Sequence, residues 1–132
     1  LADHDVRRKL PWLQRDLEVL GAAPTSVALL PHCRFIPDCE DPAAAFGCAY
    51  VLAGATLGGR TLLPLVERKL GLTAVSGAAY LASYGEAVGE RWRAFGEALN
   101  SYCSTDQDLA RAATAAAATF SALEAWLCGE CA

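Results

Sequence analysis

Gly47-Cys48-Ala49-Tyr50-Val51-Leu52-Ala53-Gly54-Ala55-Thr56-Leu57-Gly58-Gly59-Arg60 is the stretch that decides the fold. Ahead of it, Asp41 is a good N-cap and Pro42 a favoured first helical residue, so a helix is expected over residues 41–70, stopping at Gly71. On a helical wheel Gly47, Gly54 and Gly58 lie seven and four residues apart and share one face, with Val51 and Ala55 beside them. That face is nearly bare backbone. A glycine inside a helix costs about 1 kcal/mol against alanine, so three on one face need either a close-packed neighbouring helix or a flat ligand against the main chain. Both alternatives stay open at this point. Adjacent glycines and Pro64 remove side-chain packing and one backbone donor in successive turns, which predicts a bend between Gly54 and Pro64.

Outward from this helix the pattern stays helical. Leu10, Leu13, Leu17 and Leu20 recur at helical spacing, Val6 extends the stripe backwards, and Gly21 with Pro24 gives a stop, predicting a helix over 10–20. Pro24, Pro31 and Pro37 punctuate a long connection, in which residues 27–30 form a short extended or helical insert. Val88, Trp92, Phe95, Leu99 and Tyr102 make a continuous seam on a helix over 86–102, with Glu90, Arg93 and Glu97 opposite. Ser104 and Thr105 precede acidic Asp106 and Asp108, opening a helix over 105–127 whose seam is Leu109, Ala112, Ala116, Phe120, Leu123 and Leu127. No segment alternates with period two for long enough to form a strand. The expectation is an all-α class, its helices packed on one core as a single domain over 1–132.

The chain has 132 residues, 54% apolar and 20% charged, with 11 basic and 15 acidic side chains for a net charge of −4. That is enough for one hydrophobic core. No Lys/Arg run suggests a phosphate-tracking or anionic-membrane surface, so no nucleic acid and no membrane partner are expected. The longest nearly uncharged apolar stretches, 46–59 and 112–123, fall short of the roughly 18 residues that cross a bilayer, and the protein reads as soluble and cytoplasmic. It contains no methionine and opens at Leu1 inside a helix-like pattern, so an N-terminal segment is expected to be missing.

Cys33, Cys39, Cys48, Cys103, Cys128 and Cys131 could suit a secreted disulfide scaffold, but nothing else does. Cys48 and Cys103 sit in or at the end of apolar helical patterns, as small hydrophobes. Cys128-Gly129-Glu130-Cys131, with Cys33, Cys39 and His32, offers a zinc site or a thiol switch. It lacks a second C-x-x-C or H-x-x-x-H partner, so thiols that are mostly reduced and no stoichiometric zinc are expected. No Ser/His/Asp arrangement, P-loop or dinucleotide-binding glycine motif is present.

The 47–60 stretch resembles the kinked distal helix of heme oxygenases, particularly bacterial biliverdin-producing ones associated with bacteriophytochromes. Leu70-Gly71-Leu72, Tyr84-Gly85, the Trp92-x-x-Phe95 step, Ala118-Thr119-Phe120 and Trp126-Leu127 follow in the order such proteins show, and the likeness runs from about Arg7 onward. The resemblance implies a helical fold with heme between a proximal helix and this distal one. It implies oxidation of heme, as substrate and cofactor, by O2 and electrons from an external donor, a reductase or ferredoxin, releasing biliverdin, CO and iron, with a bacteriophytochrome as a further partner. Gly54, Gly58 and Thr56 are then the catalytic candidates. Tyr50, Gly54, Ala55, Gly58, Gly59, Arg91 and Phe120 are the heme contacts, and Arg60 and Arg93 join Arg91 as candidates for the propionates.

Two departures accompany the resemblance. The family's axial histidine lies on an early helix, and neither His4, before the first helix, nor His32, in the proline-rich connection, matches it. Ala55 stands where some members place an aspartate that organises distal water, leaving Thr56 with backbone and water as a substitute. Taken literally, the chain favours a non-catalytic helical binding module that keeps this fold without the iron ligand.

Overall fold

The computed structural model describes residues 9–34, 37, 39 and 41–129. Among them the regular structure is helical, without a strand, so the expected all-α class is observed. Val6, His4 and Cys131 lie outside the described residues. The elements are α1 (Leu10–Val19), α2 (Pro24–Ala28), α3 (Pro42–Leu70), α4 (Ala79–Ala82), a 3-10 turn (Gly85–Ala87), α5 (Val88–Tyr102) and α6 (Asp106–Leu127). They fall into two units, one formed by the chain up to Pro31 with Thr56–Val88, the other by His32–Ala55 with the chain from Gly89. Helix α3 contributes its second half to the first and its first half to the second.

In the first unit α1 ends as its sequence predicts. Gly21 takes φ 92°, and the Gly21 and Ala22 amides donate to the Glu18 and Leu17 carbonyls at 3.0 and 2.9 Å, closing the last turn. The leucine stripe, however, does not make the core. Leu10, Leu13 and Leu20 are exposed, and the buried residue of α1 is Asp16. Its two carboxylate oxygens accept the Ala79 and Tyr80 amides at 2.8 Å each, capping α4, whose own N-cap, Ala78, has no side-chain acceptor. Around this bond Arg15 donates to the Val75 carbonyl at 3.1 Å, and Trp12 meets Tyr84 edge-on with ring centres 5.4 Å apart. Lys9 lies 5.9 Å from the Tyr80 ring centre, and burial pushes its ammonium below the usual lysine range.

In the second unit Asp41 caps α3 as expected, its Oδ1 accepting the Ala43 amide at 3.3 Å. Thr105 caps α6, its hydroxyl accepting the Asp108 amide at 3.1 Å. Ala43, Cys103 and Ala112 form the buried centre, with Phe46 packed on them. The seam of α6 differs from the expected one: Ala112, Ala115 and Thr119 are buried, whereas Leu109, Phe120, Leu123 and Leu127 are exposed. The reason is proximity. A Cβ on Gly47 of α3 would overlap the Ala112 carbonyl oxygen and lie 3.0 Å from the Ala115 Cβ, so only a small-residue stripe fits that contact.

Helix α3 is unbroken through Gly54, Gly58, Gly59 and Pro64. At 29 residues, with an 18-residue window of mean hydropathy 1.3, it is long and apolar enough to cross a membrane, which corrects the count made from the sequence. That count began at residue 46, whereas the uncharged run starts with the helix at Pro42. A helix with a face packed on protein meets the same criterion, and α3 has two such contacts, at Gly47 and at Gly59, where a Cβ would overlap the Leu81 carbonyl oxygen.

Candidate functional site

The glycines of α3 separate by what surrounds them. Gly47 and Gly59 need no ligand, because neighbouring backbone occupies the space of a side chain. Gly54 faces an aromatic ring: its Cβ would sit 3.6 Å from the Trp92 ring, an ordinary van der Waals distance that would admit a methyl group. Around Gly58 nothing lies within 4 Å of an added Cβ. Gly58 therefore bears the helix penalty of glycine with no packing reason inside the fold. Tyr50, Gly54 and Gly58 step by four along one face, with Ala55 exposed beside them.

Within the second unit the Tyr50 end of this face is backed by a run of rings. Tyr102, Phe46, Phe95, Trp92 and Tyr50 follow with successive centre separations of 5.4, 6.0, 5.9 and 5.3 Å. Such offset pairs each contribute about 0.5–1.5 kcal/mol beyond area burial and hold their members rigid. Phe95 is buried, whereas Tyr50 remains 44% exposed, so the run ends at a wet, apolar edge.

The other candidates are dispersed. Thr56 is 6% exposed and lies about 200° around the helix from Gly58, so the structure does not bring its hydroxyl to the open glycine. Arg60 and Arg93 are exposed and Arg91 is half-buried. Phe120 is 57% exposed, on the side of α6 away from its buried alanines. His32 is exposed in the connection before α3.

A polar cluster that the sequence did not disclose lies where α3 and α6 begin. Arg111 approaches Asp41 Oδ2 through Nε at 3.1 Å, without hydrogen-bond alignment, and donates to Asp108 through Nη2. The Thr105 hydroxyl and Arg111 hold the Asp108 carboxyl below the usual carboxylate range, and Asp108 in turn raises Arg111. Burial, then Asp108 and Asp41, push the neighbouring Cys103 thiol up, favouring an inert thiol. An open groove of about 520 Å³ runs from this cluster past Ala44, Thr114 and Ala118. Its cation is already shared by two carboxylates, so it offers no unspent charge to an anion.

No curated protein and no solved structure matches the chain. The family described as heme oxygenase matches residues 6–128, nearly the whole length, and carries with it heme as the expected ligand. On that match, which takes in the glycine helix and every helix around it, the chain belongs to the heme oxygenase family.

Proposed function

We propose that the protein binds heme against the Gly54, Ala55 and Gly58 face of α3 and oxidises it to biliverdin, CO and iron, using O2 and electrons from an external donor. The observation that carries this reading is the empty space at Gly58, a position where glycine costs helix stability and packs against nothing. Heme is the substrate and, when bound, supplies the redox chemistry of its own oxidation. The chain's residues supply shape. Gly58 and Ala55 let a flat ring approach the main chain, while the Trp92 ring, which stands over Gly54 against Tyr50, borders that face. Tyr50 offers an exposed aromatic edge to the macrocycle, and Arg91 is the propionate candidate with the least exposure of the three arginines.

The face offers a surface for the ring and not an iron ligand, since glycine and alanine have no donor side chain. Thr56, buried as it is, is not assigned a proton-transfer role. Gly59 is assigned to packing.

The test is a heme titration followed by absorbance, then addition of a reductant in air with biliverdin and CO measured. Stoichiometric binding followed by biliverdin formation supports the proposal. Binding without turnover would leave a non-catalytic heme-binding module of the same fold. Failure to bind heme would contradict both.

A further inference from the structure

Cys39 and Cys48 are drawn together by the fold although they serve no part of the glycine face. Cys39 lies in the proline-punctuated connection and is exposed; Cys48, nine residues on, is buried in the second turn of α3. Their sulfurs stand 2.9 Å apart, and the Cys39 thiol also lies 3.4 Å from the Pro37 carbonyl oxygen. Two chemistries use paired thiols, and they differ in what else they require. Two thiolates on a tetrahedral zinc, with bonds of about 2.3 Å, stand roughly 3.8 Å apart and need two further ligands. Among the described residues no group of three or more His, Cys, Asp or Glu is placed to hold a metal. A disulfide needs sulfurs about 2.05 Å apart, a closure of about 0.9 Å from the observed position.

We propose that Cys39 and Cys48 form a reversible disulfide, with exposed Cys39 meeting the oxidant and buried Cys48 resolving it. The oxidant class is a hydroperoxide, with hydrogen peroxide as the simplest member. The Cys39 thiolate attacks one peroxide oxygen, the O–O bond breaks, and hydroxide leaves, giving a sulfenic acid. The Cys48 sulfur then attacks the Cys39 sulfur, forming the S–S bond and breaking the S–O bond. Water departs with the Cys48 proton. Two electrons pass from the thiol pair to the peroxide, and a dithiol reductant reverses the change by exchange. The division of roles follows exposure: peroxide reaches Cys39 from solvent, while Cys48 is shielded until the sulfenic acid forms beside it. The product ties residue 39 to the helix one residue from Gly47, fixing where the connection enters α3.

The experiment treats the protein with hydrogen peroxide, alkylates the remaining thiols and maps the digest by mass spectrometry. Titratable thiols fall from six to four, the missing pair appears as one cross-linked peptide containing Cys39 and Cys48, and dithiothreitol restores all six. In Cys48→Ala the sulfenic acid persists at Cys39 and is trapped by dimedone, whereas in Cys39→Ala peroxide consumption at Cys48 slows by at least roughly tenfold. Circular dichroism of both variants establishes that they are folded. Oxidised wild-type protein also unfolds at a higher urea midpoint than the reduced form. A disulfide joining Cys39 to Cys33 or to a second molecule would overturn the proposal, as would full retention of six thiols under peroxide with no dimedone adduct in Cys48→Ala.

Discussion

Gly47 and Gly58 lie on the same helix, three turns apart, and are alike in sequence but opposite in surroundings. At Gly47 another helix's backbone stands where a side chain would be; at Gly58 nothing does. The first glycine is accounted for by folding, since the close approach of α3 to the alanine stripe of α6 requires a missing Cβ. The second weakens the helix without improving its packing, and in the proposed function it is the place where a flat ligand meets the main chain. Small-residue stripes in helices are thus not of one kind, and the pattern of spacing that reveals them does not tell packing from binding. The surroundings of each Cβ tell the packed glycines from the open ones.

The largest effect that can break this comparison is at the packed end. Gly47→Ala places a methyl group on the Ala112 carbonyl and should lower stability by about 3 kcal/mol, read from urea unfolding. A loss below about 0.5 kcal/mol would show that the helices can part, removing the contrast. Next is Asp16→Ala, which leaves two amides of α4 without their acceptor and should cost about 2–3 kcal/mol while heme affinity is retained. At the open end Gly58→Ala should instead raise stability by about 0.5–1 kcal/mol, the helix-propensity gain with no clash to offset it. Gly96 of α5, likewise with nothing within 4 Å, is the control: Gly96→Ala should bring a similar gain and leave heme binding unchanged.

The smallest effect concerns pH. Asp108, held below its ordinary range by Thr105 and Arg111, contributes stability that is present above the unfolded carboxylate pKa of about 3.9 and is lost as pH falls through the lower folded value. Acid unfolding curves of wild type and Asp108→Asn should therefore differ at neutral pH and converge in strong acid; parallel curves would contradict the assignment.

Much of this was legible in the residues. Caps and breakers are local, so Asp41-Pro42, Thr105 and Gly21 placed helix ends to within a few residues, and the three-and-four spacing placed the glycine face. What the sequence concealed depends on distant partners. Asp16 reads as an exposed charge on a leucine helix, because its role arises from amides 63 and 64 residues away. The three-and-four rhythm puts Ala112 in the α6 seam, where it is buried, but puts Leu109, Phe120, Leu123 and Leu127 there too, whereas the close approach at Gly47 admits only small residues and leaves Phe120 exposed. Thr56 adjoins the site in sequence, but two residues along a helix point nearly opposite ways, so it lies away from Gly58. The pairing of Cys39 with Cys48 follows from the path of an irregular connection, which no periodicity describes.

The most direct test of the central claim is a heme titration of Gly58→Leu beside wild type, with thermal unfolding of both ligand-free proteins. Leucine is a strong helix former and has open space at this position, so the ligand-free variant should unfold at the same temperature or slightly higher, whereas its heme Kd should rise by at least about tenfold, the equivalent of 1.4 kcal/mol. Unchanged heme affinity in the variant, or a loss of stability as large as that expected at Gly47, would contradict the claim that Gly58 is kept bare for a ligand.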